Sequence, residues 1–157
     1  RFWHLRKLPD AVEPRALRVD EPLVRRAAKQ LAPWVLRHRD AEHIRLLLVV
    51  PAGRWVEDVE YLLSFFLKAR IDVYLATAAA AEVAKLSSPR IRVKCIGSGT
   101  KAWVRAILRL IPNPEPTLIV AGEKRFRQVR LLSPVFSMID AVILRTMDTL
   151  VSALRQL

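Results

Sequence analysis

The sequence predicts an α/β domain built as a three-layer sandwich, with a parallel sheet of four or five strands between two layers of helices. Its 157 residues suffice for one domain with a sizeable core, and 52% of them are hydrophobic. After a first helix, short apolar runs alternate five times with segments of helical periodicity. This alternation is typical of parallel strands joined by right-handed crossovers. We therefore expect a single domain over residues 21–157, preceded by an extended basic arm over residues 1–20.

The predicted elements follow one another from the arm to the C-terminus. Asp20 is a suitable N-cap for a helix over residues 23–38, which Pro33 should kink or divide. Strands are predicted over residues 44–50, 73–76, 91–96, 117–121 and 141–144. Further helices are predicted over residues 56–67, 78–86, 100–111, 124–132 and 146–157.

Periodicity also predicts which side chains face the core. The helix before the fourth strand carries an apolar stripe of Val104, Ile107, Leu108 and Ile111. The last helix should bury Met147, Leu150, Val151 and Leu154. Cys95 is expected to be a buried strand thiol. Trp55 and Trp103 each follow a glycine-bearing loop, where packing beneath a helix start is the expectation and stacking on a base is the alternative.

Charge is unevenly distributed along the chain. The formal net charge is +12, from 27 Lys and Arg against 15 Asp and Glu. Residues 90–130 contain ten basic side chains but only two acidic ones, Glu115 and Glu123. Such a basic block indicates a polyanion partner. The alternative is a surface whose charge serves only solubility.

Several kinds of site are not expected. A single Cys excludes an internal disulfide, and the three His lack the spacing of metal ligands, so we predict no metal site. All four glycines follow predicted strands, but Gly97 and Gly99 lack the third glycine of a dinucleotide fingerprint, and there is no Walker A pattern. No Ser or Cys lies at a strand-to-helix elbow near a His. We therefore predict no cofactor. No apolar run approaches the roughly 20 residues of a membrane-spanning helix, so no membrane association is expected.

One segment carries a family resemblance. Residues 117–126, with the sequence TLIVAGEKRF, resemble the fourth strand of NYN domains, a PIN-like nuclease family in which the strand runs into Ser-Gly-Asp-x-Asp-Phe. Residues 44–54 look like the family's first strand, and residues 99–110 look like the helix before its fourth. The resemblance implies the strand order 3-2-1-4-5. It also implies that residues 51–54 and 122–125 face each other across one crevice.

The departures from that family concern its catalytic acids. NYN nucleases hold magnesium with carboxylates at the strand ends. Here Pro51 ends the first strand, Thr100 and Lys101 stand in the loop before the helix, and Arg125 replaces the second acid of the motif. Glu123 alone remains. The resemblance therefore implies a pseudo-nuclease with no catalytic residue and no metal.

The function expected from these features is non-catalytic RNA binding within a large ribonucleoprotein, such as an organellar ribosome or an RNA-processing complex. Its partners would be a structured RNA and neighbouring proteins, and a mitochondrial or otherwise cytoplasmic location is expected. The alternatives are a metal-dependent ribonuclease and a protein-interaction scaffold. The chain begins at Arg1, so we expect processing or trimming to have removed residues upstream, among which a targeting peptide is one candidate. The residues expected to hold RNA phosphates are Arg54, Lys101, Arg105, Arg109, Lys124, Arg125, Arg127 and Arg130.

Overall fold

The computed structural model describes residues 20–49, 54–76 and 88–157. The described strands are β1 (His43–Leu48), β2 (Arg70–Leu75), β3 (Ile91–Cys95), β4 (Thr117–Val120) and β5 (Ala141–Leu144). The described helices are α1 (Glu21–His38), α2 (Trp55–Leu63), α3 (Thr100–Leu110), α4 (Phe126–Arg130), α5 (Ser133–Phe136) and α6 (Met147–Arg155). Residues 1–19 of the predicted arm and the predicted helix over 78–86 lie outside the described residues.

The strands form one parallel sheet in the order β3-β2-β1-β4-β5. The predicted fold class and strand order are thus confirmed, although Rossmann-type sheets share this arrangement around the first strand. β1 lies at the centre, with Arg45 opposite Asp72 on one side and Thr117 on the other. Every residue of β1 after His43 is buried, as expected for a strand covered on both faces.

Helices cover both faces of the sheet. Leu46 and Leu48 point to the face on which α1, α2 and α6 pack, with Trp34 among the fully buried side chains there. Leu47 and Ile119 point to the opposite face, which is covered by α3, α4 and α5. Alternate side chains of a strand therefore serve separate cores. The four residues predicted to face inward from α6 are all buried.

Several predicted boundaries differ from the structure. Pro33 does not divide α1, and Leu31 and Trp34 on either side of it are both fully buried. The helix predicted over residues 124–132 is shorter, since α4 covers only Phe126–Arg130. A separate short helix that was not predicted, α5, follows at Ser133–Phe136, where Pro134 in the first turn favours a new start. α2 ends at Leu63 with Ser64 as its C-cap, so residues 65–67, expected to continue it, lie beyond the helix.

The apolar stripe predicted on α3 was wrong by about one residue. The structure buries Trp103, Ala106, Ile107 and Leu110. Leu108, which was expected inside, is 55% exposed. Burying the large indole of Trp103 turns the helix by about 100°, the rotation per residue. The cations of α3 consequently remain on its exposed side.

The prediction that Cys95 is a buried thiol was also wrong. Cys95 is exposed at the end of β3. β3 lies at one edge of the sheet, and only its first residue, Ile91, is buried. The apolar and polar alternation of this strand indicated an edge position better than it indicated burial of the thiol.

Asp140 joins the end of α1 to the start of β5. Its backbone carbonyl accepts a hydrogen bond from Trp34 Nε1 at 3.1 Å. Its carboxylate accepts hydrogen bonds from Arg37 at 3.0 Å and from His38 Nε2 at 2.5 Å. Partial burial opposes ionisation of this carboxyl, but the hydrogen bonds and charges of Arg37 and His38 outweigh that effect and lower its pKa.

Candidate nucleic-acid interface

A groove of about 790 Å³ lies between α3 and strands β2 and β3. Lys101, Arg105 and Arg109 of α3 line one side of it, and residues of β2 and β3 line the other. The strand register places Tyr74 beside Lys94 and Asp72 beside Arg92 on the same face. Among the described residues that line the groove, five are basic and two are acidic. The groove therefore suits an anionic ligand.

The α3 wall of the groove is a row of cations. Lys101, Arg105 and Arg109 are exposed and all line it. Successive members are about 6 Å apart along the helix axis, since an α-helix rises 1.5 Å per residue. α3 contains no acidic residue that would neutralise them. Three of the eight residues predicted from the sequence thus lie together on one wall.

The opposite wall contributes residues that sequence reasoning did not select. Lys94 lies on β3 with its ammonium 5.5 Å from the centre of the Tyr74 ring. Both side chains line the groove, and Tyr74 is half-buried. The alternation of Arg92 and Lys94 within a strand was the available signal, because it places both on the face opposite Ile91 and Val93.

The floor of the groove contains a buried arginine. Arg45 is 4% exposed, and its guanidinium donates to Thr117 Oγ1 at 3.1 Å. It also donates to the carbonyls of Leu110 at 3.1 Å, Asn113 at 2.6 Å and Glu115 at 3.3 Å. Burial lowers the pKa of Arg45, but an arginine remains protonated in proteins. Arg45 thus fixes the loop after α3 and adds positive charge beneath the groove.

The end of β4 holds two polar contacts where the NYN motif would place acids. Gly122, with a φ of 82°, turns the chain as β4 ends. Beyond it, Arg125 Nη1 donates to Thr100 Oγ1 at the start of α3, at 2.9 Å. The Glu123 carboxylate accepts a hydrogen bond from Arg145 at 3.3 Å. Arg145 follows β5 at the same end of the sheet, and this position was the signal that could have identified it.

The remaining predicted residues are dispersed. Arg54, Lys124 and Arg127 are exposed and lie outside the lining of the groove. Arg130 lines a second cleft beside β5 and does not line the groove beside α3. It belongs to a turn of helix that faces β5 and α1. Residues 51–53 of the predicted crevice lie outside the described residues.

The two tryptophans after the glycine-bearing loops pack in the interior. Trp55 is 1% exposed and Trp103 is 3% exposed. Neither ring can stack on a base from these positions, so the packing interpretation is confirmed. Tyr74 is the aromatic side chain that lines the groove instead.

Comparison of the chain with protein-family models, with curated proteins and with solved structures found no match. Within residues 20–49, 54–76 and 88–157, no three His, Cys, Asp or Glu side chains are grouped so that they could hold a metal ion. No helix in the described part of the chain combines the length and apolarity needed to cross a membrane.

Proposed function

We propose that this chain is a non-catalytic RNA-binding protein of a ribonucleoprotein, and that the groove beside α3 holds the phosphate backbone of a single-stranded RNA segment. The observation that carries the proposal is the row of Lys101, Arg105 and Arg109 on one wall of the groove, with Lys94 on the other. The axial spacing of the α3 row is comparable to that of neighbouring phosphates in a single strand. The guanidinium groups are suited to phosphate because they donate in pairs.

Phosphate contacts would dominate this interaction, with base stacking as a smaller contribution. Backbone contacts position a nucleic acid without specifying its sequence. Tyr74 offers one aromatic face in the groove, and stacking on an aromatic ring tolerates any base. We therefore expect affinity that depends strongly on salt and weakly on sequence.

The salt dependence of RNA binding tests the proposal. Each neutralised phosphate of a single strand contributes about 0.7 to the slope of log affinity against log salt concentration, so about three to five contacts give a slope near −2 to −3.5. Replacing Lys101, Arg105 and Arg109 together by Ala should lower the magnitude of that slope by about 2. The measurement is fluorescence anisotropy with a labelled oligouridylate at several salt concentrations.

A matched variant separates this row from net charge alone. Arg25, Lys29 and Lys68 are exposed and line neither the groove nor the cleft. Replacing all three by Ala removes the same total charge and should leave the slope within about 0.5 of the wild-type value. Equal slopes for the α3 variant and the wild type would refute the assignment of the groove. Equal losses in both variants would support only the view that the charge acts non-specifically.

A second part of the proposal is that the chain does not hydrolyse RNA. The Arg125 guanidinium donates a hydrogen bond to the Thr100 hydroxyl, whereas the resemblance places metal-binding acids at these positions. The remaining carboxylate of Glu123 is paired with Arg145. Labelled single-stranded RNA incubated with Mg²⁺ or Mn²⁺ should show no more cleavage with the wild type than with Glu123→Ala. Turnover that disappears in Glu123→Ala would establish the ribonuclease alternative instead.

A further inference from the structure

Within the described residues, the outer edge of β5 has backbone hydrogen-bonding groups without a partner. β5 ends the strand order, and no described strand pairs with its outer side. Thr117 N donates to Asp140 O and Ala121 N donates to Leu144 O, both at 2.9 Å. Because residues along a parallel strand alternate between its two neighbours, the N–H and C=O of Ala141 and Ile143 point away from β4.

These groups open into a cleft of about 520 Å³. One wall is α1, and the other is formed by α4 and α5. All residues of β5 line the cleft together with the apolar side chains of Leu23, Ala27 and Phe136. Open strand edges pair readily with another extended chain, and proteins usually block them. Here the edge lies at the bottom of a recess bordered by helices.

The charge of the cleft indicates the chemistry of its occupant. Arg26, Arg130 and Arg145 line it, and none of its described lining residues is acidic. The guanidinium of Arg145 lies 4.2 Å from the centre of the Phe126 ring, and that of Arg130 lies 5.7 Å from it. Stacking on Phe126 orients the planes of two arginines. Arg145 Nη1 already donates to Glu123 at 3.3 Å, so the donors for further carboxylates are the other N–H groups of Arg145 and those of Arg130.

We propose that this cleft binds an extended acidic segment of a partner protein, which adds to β5 as a sixth strand. The outward N–H and C=O groups of Ala141 and Ile143 can pair with the backbone of an extended peptide. Every second residue of such a peptide presents its N–H and C=O to the same side, which is the spacing of Ala141 and Ile143 along β5. The three arginines of the cleft suit a peptide in which Asp or Glu residues flank a short apolar stretch. A second copy of this chain fits poorly, because it carries a net charge of +12. A nucleic acid lacks the alternating donors and acceptors that the strand edge requires.

A defined peptide provides the first measurement. The probe is a terminally blocked heptapeptide of sequence EDVIVDE, titrated into the full chain by calorimetry, with binding expected at about 100 µM or tighter. Methylation of alternate backbone nitrogens removes the donors needed for strand pairing and should weaken binding about tenfold or more. The charge-reversed peptide KRVIVRK should not bind.

Two variants test the cleft itself. Ile143→Pro removes an N–H that faces away from β4, and proline is tolerated on edge strands, so peptide binding should be lost. The urea midpoint should fall as well, because Ile143 packs partly against the core, and Ile143→Ala is the control that loses the same packing but keeps the N–H. Arg26→Glu alters an exposed helix position and should weaken peptide binding by about threefold to tenfold. If Ile143→Pro does not fold, Arg26→Glu and the methylated peptide still test the site.

The outcomes separate this proposal from RNA binding by the groove. Arg26→Glu should leave the salt slope for oligouridylate unchanged, and peptide and oligouridylate should bind together. Displacement of the peptide by oligouridylate would show that the cleft accepts nucleic acid. A concentration-dependent dimer that dissociates when the peptide is added would show that a second copy of the chain occupies the cleft. Either of these two results would overturn the proposal. So would the absence of peptide binding at about 1 mM, or binding of the methylated peptide as tight as that of the unmethylated one.

Discussion

Replacing Arg45 by Met should destabilise the protein by about 3 kcal/mol. The side chain is 4% exposed and donates four hydrogen bonds. The Glu115 carbonyl keeps a second donor, because it also accepts from Thr117 Oγ1 at 2.8 Å. The carbonyls of Leu110 and Asn113 lose the guanidinium that they share. Each buried acceptor left unpaired costs about 1–3 kcal/mol, and relief of the desolvated charge offsets part of that sum.

The measurement is urea unfolding followed by tryptophan fluorescence, because several indoles are buried in the core. For a chain of this length, about 3 kcal/mol corresponds to a loss of roughly 10 °C in Tm. Arg45→Lys keeps the charge but has fewer donors and a different reach, so about half of the loss is expected. Arg92→Met is the matched control, since Arg92 is exposed on the same face of the sheet. It should change stability by less than about 0.5 kcal/mol.

The result that refutes this reasoning is an Arg45→Met variant within about 0.5 kcal/mol of the wild type. It would mean that the free energy needed to bury the guanidinium equals the free energy gained from its hydrogen bonds. A second readout is RNA binding. Because the donors of Arg45 are used by backbone carbonyls, its replacement should lower the salt slope by less than one phosphate contact, about 0.7.

Three further predictions follow from contacts at the other elements. The pKa of Asp140 is lower in the folded state, so its ionised form stabilises the fold above the unfolded pKa, and this stabilisation is lost as the pH falls through the folded value. Asp140→Asn should therefore cost at most about 1 kcal/mol at pH 6, because the carboxylate is 41% exposed. The difference in urea midpoint should begin to shrink as the pH falls below about 4 and should disappear only once the pH is below the folded value. Thr146 caps α6 by accepting from Thr149 N at 3.0 Å, so Thr146→Ala should cost about 1 kcal/mol in urea unfolding while Thr146→Ser retains most of it. Burial raises the pKa of Tyr61 to about 12, so a Tyr74→Phe variant should show no tyrosinate absorbance at pH 10, and a transition there in the folded protein would contradict the burial of Tyr61.

The fold could be predicted from the sequence because its strands and helices have distinct periodicities. The central strand is an almost continuous apolar run, and β5 has the bounds that were predicted. Boundaries were less predictable where tertiary packing decides them. The rotation of α3 depends on burial of Trp103, and no local pattern states which of two apolar stripes on one helix meets the sheet.

The candidate groove was predictable only on one side. Spacing of four residues revealed that Lys101, Arg105 and Arg109 share a helix face, since this repeat is close to one helical turn. Lys94 and Tyr74 join them only through the register of two strands in the folded sheet. The role of Arg45 also depends on tertiary structure, because its acceptors lie 65 to 72 residues further along the chain. Sequence neighbours alone do not identify such partners.

The central position of β1 has a consequence for synthesis of the chain. One edge of β1 pairs with Arg70–Leu75, but its other edge has no partner strand until Thr117–Val120 has been synthesised. The interval from Leu48 to Val120 takes about 4 to 14 seconds at a translation rate of roughly 5–20 residues per second. During that time an apolar strand presents an open edge, which is a template for aggregation. We expect nascent chains that end before residue 117 to be retained by chaperones and chains that extend past Leu157 to be released folded.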